Sequence, residues 1–426
     1  MRLLRPITTL ALLLLAPHAT GAQQQDELIV LRAAGLLDVE AGRVVPDALV
    51  VVRGERIERV GGAVPEGARV VDLGERTLLP GLIDLHVHLT GQIEPGWVHR
   101  RVTESPVEAA LRGVAHARRT LDAGFTTVRD LGAPGFANVA LMRASDAGWI
   151  AAPRIVPAGH SIGITGGHCD VTGYAPGVLE TSPREGIANG VAQVLEAVRH
   201  QLKQGAKAVK ICATAGVLSF EESVGAQQMS AEEMRAAVEE AARHGIGVAA
   251  HAHGTEGIKA AVTAGVATIE HGSVLDDEAI RLMRERGTYL VPTTYLVDVI
   301  DLAALPPPIR AKAEWVLPRA RESLRRAIAA GVPIAFGTDA GVFPHGQNAR
   351  ELGVLVSLGM TPLAALRAAT STAAEVLRLD DRGVLAAGKL ADIIAVAGDP
   401  LADVRALEAV DFVMKGGRIY KDERSR

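Results

Sequence analysis

One pattern recurs along the middle of the chain: an Ala-rich stretch with apolar residues at helical spacing, a Gly, then a short β-branched and apolar run. The helical stretches stop at Gly124, Gly148, Gly205, Gly245, Gly265, Gly287 and Gly331. Glycine suits these positions because the residue after a last helical turn commonly takes the left-handed conformation. Strand-like runs follow at 125–128, 154–157, 208–211, 247–250, 267–269, 289–291 and 333–336. Helix starts are also marked: Ser230 precedes Glu233 by three residues in a capping box, and Ser105-Pro106 reads as N-cap and first helical residue.

With the apolar run 82–87 added, eight strands alternate with helices. Such alternation predicts an α/β fold with a parallel sheet, and eight units predict a closed (β/α)8 TIM-like barrel rather than an open sheet. The ends read differently. Short alternating segments at 48–53, 56–60, 392–396 and 412–420 are separated by Gly and Pro. They predict a small β-sandwich domain assembled from 23–79 and 383–426, with the barrel spanning 80–382.

Residues 1–22 stand apart. Arg2 and Arg5, an apolar run from 10 to 16, and Thr20-Gly21-Ala22 have the form of a cleaved signal peptide. This predicts export to the periplasm or the exterior. No later apolar stretch reaches 18 uninterrupted residues, so no membrane span is expected in the mature protein.

Composition narrows the picture further. Apolar residues make up 48% of the chain but aromatics only 3%, so a large core must be built from Ala, Val, Leu and Ile. The formal charge is −4 and falls to −6 once the two signal arginines are removed. A mildly acidic chain with scattered Lys and Arg gives no reason to expect nucleic acid or an anionic membrane as partner. Cys169 and Cys212 are too few for a disulfide scaffold, and the sequence leaves open whether they pair or stay free.

Candidate chemistry gathers at strand ends. In Pro80-Gly-Leu-Ile-Asp-Leu-His-Val-His88, His86 and His88 lie two residues apart, on one face of a strand and about 6.6 Å from each other. Lys210 ends an otherwise apolar run; His251 and His253 end the next, His271 the one after, and Asp339 follows 334–338. In a barrel these ends converge on one mouth, where sites of this fold are built, so metal binding is expected there. Spacing does not choose between His251 and His253.

The nine-residue run 80–88, the Lys in Val-Lys-Ile, Ala-His-Ala-His-Gly, Glu-His-Gly and Gly-Thr-Asp together resemble the metal-dependent amidohydrolase superfamily. The resemblance covers essentially the whole mature chain. Within the superfamily it looks most like the Xaa-Pro dipeptidase and ochratoxinase branch, through the Gly166-Gly167-His168 loop and the 41- and 20-residue intervals from Lys210 to His251 and on to His271.

That resemblance implies a two-metal site. His86, His88 and Asp339 would hold one divalent ion, His251 and His271 the other, and Lys210 would bridge them as an Nζ-carboxylated lysine. Zinc suits so many imidazoles. His253 and His168 would contact substrate, with Asp84, Glu270 and Thr338 in support. The implied reaction hydrolyses a small-molecule amide or dipeptide, releasing a C-terminal amino acid. Candidate substrates are dipeptides, N-acyl amino acids and ochratoxin A, the last giving ochratoxin α and phenylalanine. Metals would lower the pKa of a shared water from about 15.7 toward about 7. Asp339 would relay the proton, and His253 or His168 would stabilise the oxyanion. Relatives of this kind also imply a homo-oligomer, up to an octamer.

Two other classes compete. An imidazolonepropionase-like cyclic amide hydrolase or a deaminase typically uses one metal without a bridging lysine, so Lys210 counts against it. A non-catalytic binding relative would have lost ligands, and every expected one is present. Loops 160–186 and 213–228 are expected to form much of the substrate pocket; Arg184 is the cation they contain.

Overall fold

The alternation at the two ends of the chain becomes one sheet. A computed structural model describes residues 27–423, so the signal-like segment 1–22 and residues 23–26 and 424–426 lie outside the described residues. Strands β1 (Leu28–Asp38), β2 (Arg43–Arg53), β3 (Arg56–Val60), β4 (Arg69–Asp72) and β5 (Arg76–Pro80) come from the N-terminal side. After the barrel strands β6 (Leu82–Val87), β7 (Phe125–Asp130), β8 (Arg154–Pro157), β9 (Val209–Cys212), β10 (Val248–Ala252), β11 (Thr268–His271) and β12 (Tyr289–Val291), the chain adds β13 (Ile393–Ala397), β14 (Val410–Lys415) and β15 (Arg418–Asp422).

The terminal sheet runs β15-β14-β13-β5-β1-β2-β3, with β4 also on β1. One edge of β1 is shared: Ile29–Arg32 pairs with β4, and Gly35 and Leu36 pair with β5. Period two then divides the side chains of β13 and β14 between two cores. Ile393, Ala395, Phe412 and Met414 pack inside the terminal domain, whereas Ile394, Val396, Val410 and Val413 pack on the barrel. The barrel therefore stands on a sheet buried on both faces.

Barrel strands form two parallel arcs, β6-β7-β8 and β12-β11-β10-β9. On one side the arcs meet where Pro157 O accepts from Lys207 N at 2.7 Å and from Ala208 N at 3.2 Å. On the other side the expected eighth strand, 333–336, is not a continuous strand. It makes single parallel bridges instead: Ile334 with Leu290, and further along Ala340 with Val87. Leu290 N donates to Pro333 O (2.9 Å), Ala335 N to Leu290 O (2.9 Å) and Leu85 N to Phe336 O (3.0 Å). Pro333 has no N–H to give, and Asp339 turns left-handed at φ 61°, so the ladder cannot run on.

The helices start and stop as their residues direct. Capping boxes close Ser105–Glu108 and Ser230–Glu233, and the seven Gly stops have φ between 67° and 112°. With few aromatics available, the largest fully buried side chains are four Phe, then Leu and Ile; Phe125 and Phe336 stack at 5.7 Å. Among the described residues no helix is long and apolar enough to cross a membrane.

Candidate metal centre

β6 delivers His86 and His88 to the barrel mouth, β9 delivers Lys210, β10 His251 and, one step past its end, His253, and β11 His271. Asp339 follows the eighth segment. Ligand atoms of His86, His88 and Asp339 lie within 4.8 Å of one another, and so do those of His251, His253 and His271. The two groups touch: the His86 and His271 rings are 5.1 Å apart. Lys210 is buried, and its charge is felt by all five of these histidines, by His168 and by Asp339. Geometry alone still admits His253 as a ligand beside His251.

Four of the five rings are held through the inner nitrogen, which frees the outer one. His86 Nδ1 pairs with Glu270 Oε2 (2.8 Å), His88 Nδ1 with Gly132 O (3.1 Å), His271 Nδ1 with Thr293 Oγ1 (2.8 Å) and His253 Nδ1 with Ser273 Oγ (2.7 Å). Asp339 Oδ1 lies 3.6 Å from His86 Nε2 and 3.5 Å from His88 Nε2. His251 Nε2 and Asp339 Oδ1 are buried with no hydrogen-bond partner. His271, Thr293 and Asp339 sit at φ 71°, 51° and 61°, a conformation that costs non-glycine residues energy and clusters at functional sites.

Burial holds these imidazoles neutral, which is the form that binds metal. It pushes His88 down to about 4 and His253 to about 3, with His86, His251 and His271 well below the usual histidine range. Burial also lowers Lys210 toward the neutral amine that carboxylation requires, and it raises Asp339 against the opposing pull of Lys210. Imidazole and carboxylate donors of this kind, with His251 Nε2 and Asp339 Oδ1 buried and unpartnered, fit divalent ions.

Asp84, Glu270 and Thr338 support this group. Asp84 accepts from His86 N (3.0 Å), Thr338 N (3.2 Å), Thr338 Oγ1 (2.6 Å) and Asn348 Nδ2 (2.8 Å). Sequence reasoning missed Arg129, whose Nη2 donates to Glu270 Oε1 (2.8 Å) and whose Nε donates to Leu85 O (2.6 Å). An arginine within a strand carries no local sign of a partner 141 residues away.

His168 also reaches the mouth, stacked on His251 at 4.1 Å. Its Nδ1 meets Ser219 Oγ at 2.6 Å, and Ser219 Oγ donates to Glu221 Oε1 at 2.6 Å. Since Glu221 can only accept, Ser219 must accept from His168, which fixes the Nδ1–H tautomer and leaves Nε2 an acceptor. The loop is clamped by Lys312, whose Nζ donates to the carbonyls of Gly216 (2.8 Å), Ser219 (2.7 Å) and Glu221 (2.9 Å). A Cβ on Gly216 would sit 2.3 Å from the His168 ring, so only Gly fits. Next to His168, Cys169 is disulfide-bonded to Cys212, which resolves the open question of their pairing.

The amidohydrolase family profile matches residues 77–420. The chain belongs to the amidohydrolase family. Among its relatives, the ochratoxinase of Aspergillus niger is 33% identical over 94% of this chain and 88% of its own length. A crystal structure of that enzyme superposes with a TM-score of 0.82 over 93% of this chain and 96% of its own, at 31% identity. A Xaa-Pro dipeptidase with methionine in its active site gives a TM-score of 0.87 and 38% identity, over 93% of this chain and all of its own. A prolidase complexed with N-methylphosphonate-L-proline gives 0.86 and 33%, with the same coverage. Amidohydrolase membership makes the chain an enzyme of amide-bond hydrolysis, on a TIM-like barrel with a β-sandwich domain.

Proposed function

We propose that the chain is a binuclear, zinc-dependent hydrolase that releases the C-terminal amino acid of dipeptides or N-acyl amino acids, ochratoxin A among them. The carrying observation is the meeting of two donor groups across His86 and His271, with His251 Nε2 and Asp339 Oδ1 buried and unpartnered. Leaving such atoms unpaired costs about 1–3 kcal/mol each, and a bound ion removes that cost. His86, His88 and Asp339 would hold one ion, His251 and His271 the other, with carboxylated Lys210 between them. When bound, the ions acidify water and polarise the scissile carbonyl.

The protein supplies the rest. Asp339, its side chain 11% exposed, accepts the proton released as water attacks and returns it to the departing amine. His253, braced by Ser273, contacts the carbonyl side of the substrate. His168, with Nε2 an acceptor, suits an N–H on the substrate. The dipeptidase, the proline-phosphonate complex and the ochratoxinase support an amino-acid leaving group. Lys210 at the centre disfavours the one-metal deaminase or cyclic-amide reading. We extend the proposal to export by the N-terminal segment and to a homo-oligomeric assembly.

The test is amino-acid release by the zinc-reconstituted mature protein from Xaa-Pro and other dipeptides, N-acyl amino acids and ochratoxin A. Release that a chelator abolishes supports the proposal. No release from the whole panel, with two ions bound per chain, would move the reaction to lactam or ester substrates.

A further inference from the structure

Of the three left-handed residues at the barrel mouth, Thr293 alone has a β-branched side chain. Branching at Cβ crowds the backbone at positive φ, and Thr293 stands at 51°. Such a conformation persists only where its surroundings over-determine it. Thr293 opens the turn Thr293-Thr294-Tyr295, just past the end of β12. Its Oγ1 is the group that meets His271 Nδ1 at 2.8 Å. The strained residue is therefore the one that orients an imidazole of the second donor group.

What holds the turn comes from elsewhere in the chain. Glu351 lies in the first turn of the helix Arg350–Ser357 and is fully buried. Its Oε1 accepts from Thr294 N at 2.9 Å and its Oε2 from Tyr295 N at 2.5 Å. One carboxylate thus grips the two consecutive N–H groups that follow Thr293. Burying a carboxylate is costly, and two bonds to backbone N–H groups offset that cost. The same segment holds the far end of the turn. Arg350 Nη1 donates to Tyr295 OH (3.0 Å), and Tyr295 OH donates to Gln347 Oε1 (3.4 Å). Asn348 donates to Asp84, so the segment is itself fixed to β6.

We infer that Glu351 is a positioning residue for the metal centre, acting on His271 through the left-handed Thr293 turn. With Thr294 N and Tyr295 N pinned, Thr293 is kept at positive φ and its hydroxyl is delivered to the imidazole. An ion on His271 Nε2 requires the proton on Nδ1, where Thr293 Oγ1 accepts it. Freed from Glu351, the turn relaxes, the hydroxyl moves away and the His271 ring loses its fixed tautomer and its aim. This inference deepens the proposed function and rests on it for the ion held by His251 and His271.

The experiment reads zinc dissociation constants by competition with a chromogenic chelator, and the melting midpoint of the metal-free protein by calorimetry. Glu351→Gln sets an amide N–H against a backbone N–H. It should weaken one ion about 10- to 100-fold and leave the other within about threefold. Thr293→Val keeps the shape without the hydroxyl and should weaken the same ion. The double variant should lose no more than the larger single loss, because both changes break one chain of contacts. Glu351→Asp and Thr293→Ser, which keep the carboxylate and the hydroxyl, should each recover part of the affinity. A lower melting midpoint with both zinc constants unchanged, or losses that multiply in the double variant, overturns the inference. If Glu351→Gln does not fold, Glu351→Asp, Thr293→Val and their double variant decide in the same way. Selective loss of one ion in the variants, with no amide hydrolysis by wild type, upholds the positioning and overturns the proposed reaction. Hydrolysis by wild type with zinc constants that ignore Glu351 does the reverse.

Discussion

Replacing both Cys169 and Cys212 with serine removes a cross-link between the His168 loop and the end of β9, two residues beyond Lys210. The bond closes a loop with a sequence separation of 43. On the loop-entropy relation, closing about 43 residues lowers the entropy of the unfolded chain by about 13 cal/mol/K, or about 4 kcal/mol at 25 °C. Unfolding entropy near ~2.1 cal/mol/K per residue gives roughly 0.9 kcal/mol/K for 426 residues. The melting midpoint should therefore fall by about 4–5 °C. A functional loss should accompany it, because the bond joins the loop that stacks His168 on His251 to the strand that carries Lys210. Differential scanning calorimetry and kcat/KM at 25 °C, well below the transition, measure the two effects separately. A double-serine protein that melts within 1 °C of wild type, or two titratable thiols in protein purified without reductant, would refute the reasoning.

Asp339→Asn keeps a similar side chain but cannot accept the proton, and kcat should fall by roughly 10²–10⁴-fold with the fold retained by circular dichroism. Glu270→Gln breaks a fully buried pair and leaves Arg129 charged without its partner; stability should fall by about 3–5 kcal/mol in denaturant melts. A cost below 1 kcal/mol would mean that Arg129 finds another acceptor. His345, stacked on His116 at 4.4 Å outside the metal centre, is pushed by burial down to about 3. Its folded pKa lies below its unfolded one, so the stability it contributes is present above about pH 6.5 and is lost as pH falls toward 3. His345→Gln should reduce that acid slope by up to about 1.4 kcal/mol per pH unit in melts at pH 4–7. Dialysis against a chelator should abolish activity, and zinc should restore it with about two ions per chain by atomic absorption.

What the sequence revealed is what local periodicity can carry. His86, His88, Lys210, His251 and His271 stand out because each ends a short apolar run after a Gly stop, and strand ends of a barrel converge. The terminal sheet is legible for the same reason, since Ile393 to Val396 alternate between two cores. What escaped has no period. Arg129, Lys312, Ser219 and Thr293 matter through contacts with residues distant in sequence. Residues 333–336 look like any strand, and only the neighbouring Pro and the left-handed Asp339 explain why they pair in single bridges.

The two arcs of the barrel give that last feature a wider consequence. His86 and His88 belong to one arc and Lys210, His251 and His271 to the other, while Asp339 hangs from the thin seam between them. The His86, His88 and Asp339 group is complete only when the seam has closed in register, so the ion proposed for that group would bind only the closed barrel. Uptake of that ion would then double as proofreading of assembly: at a thousandfold excess over its dissociation constant it would add about 4 kcal/mol to the closed form, and a slipped seam would gain nothing from it.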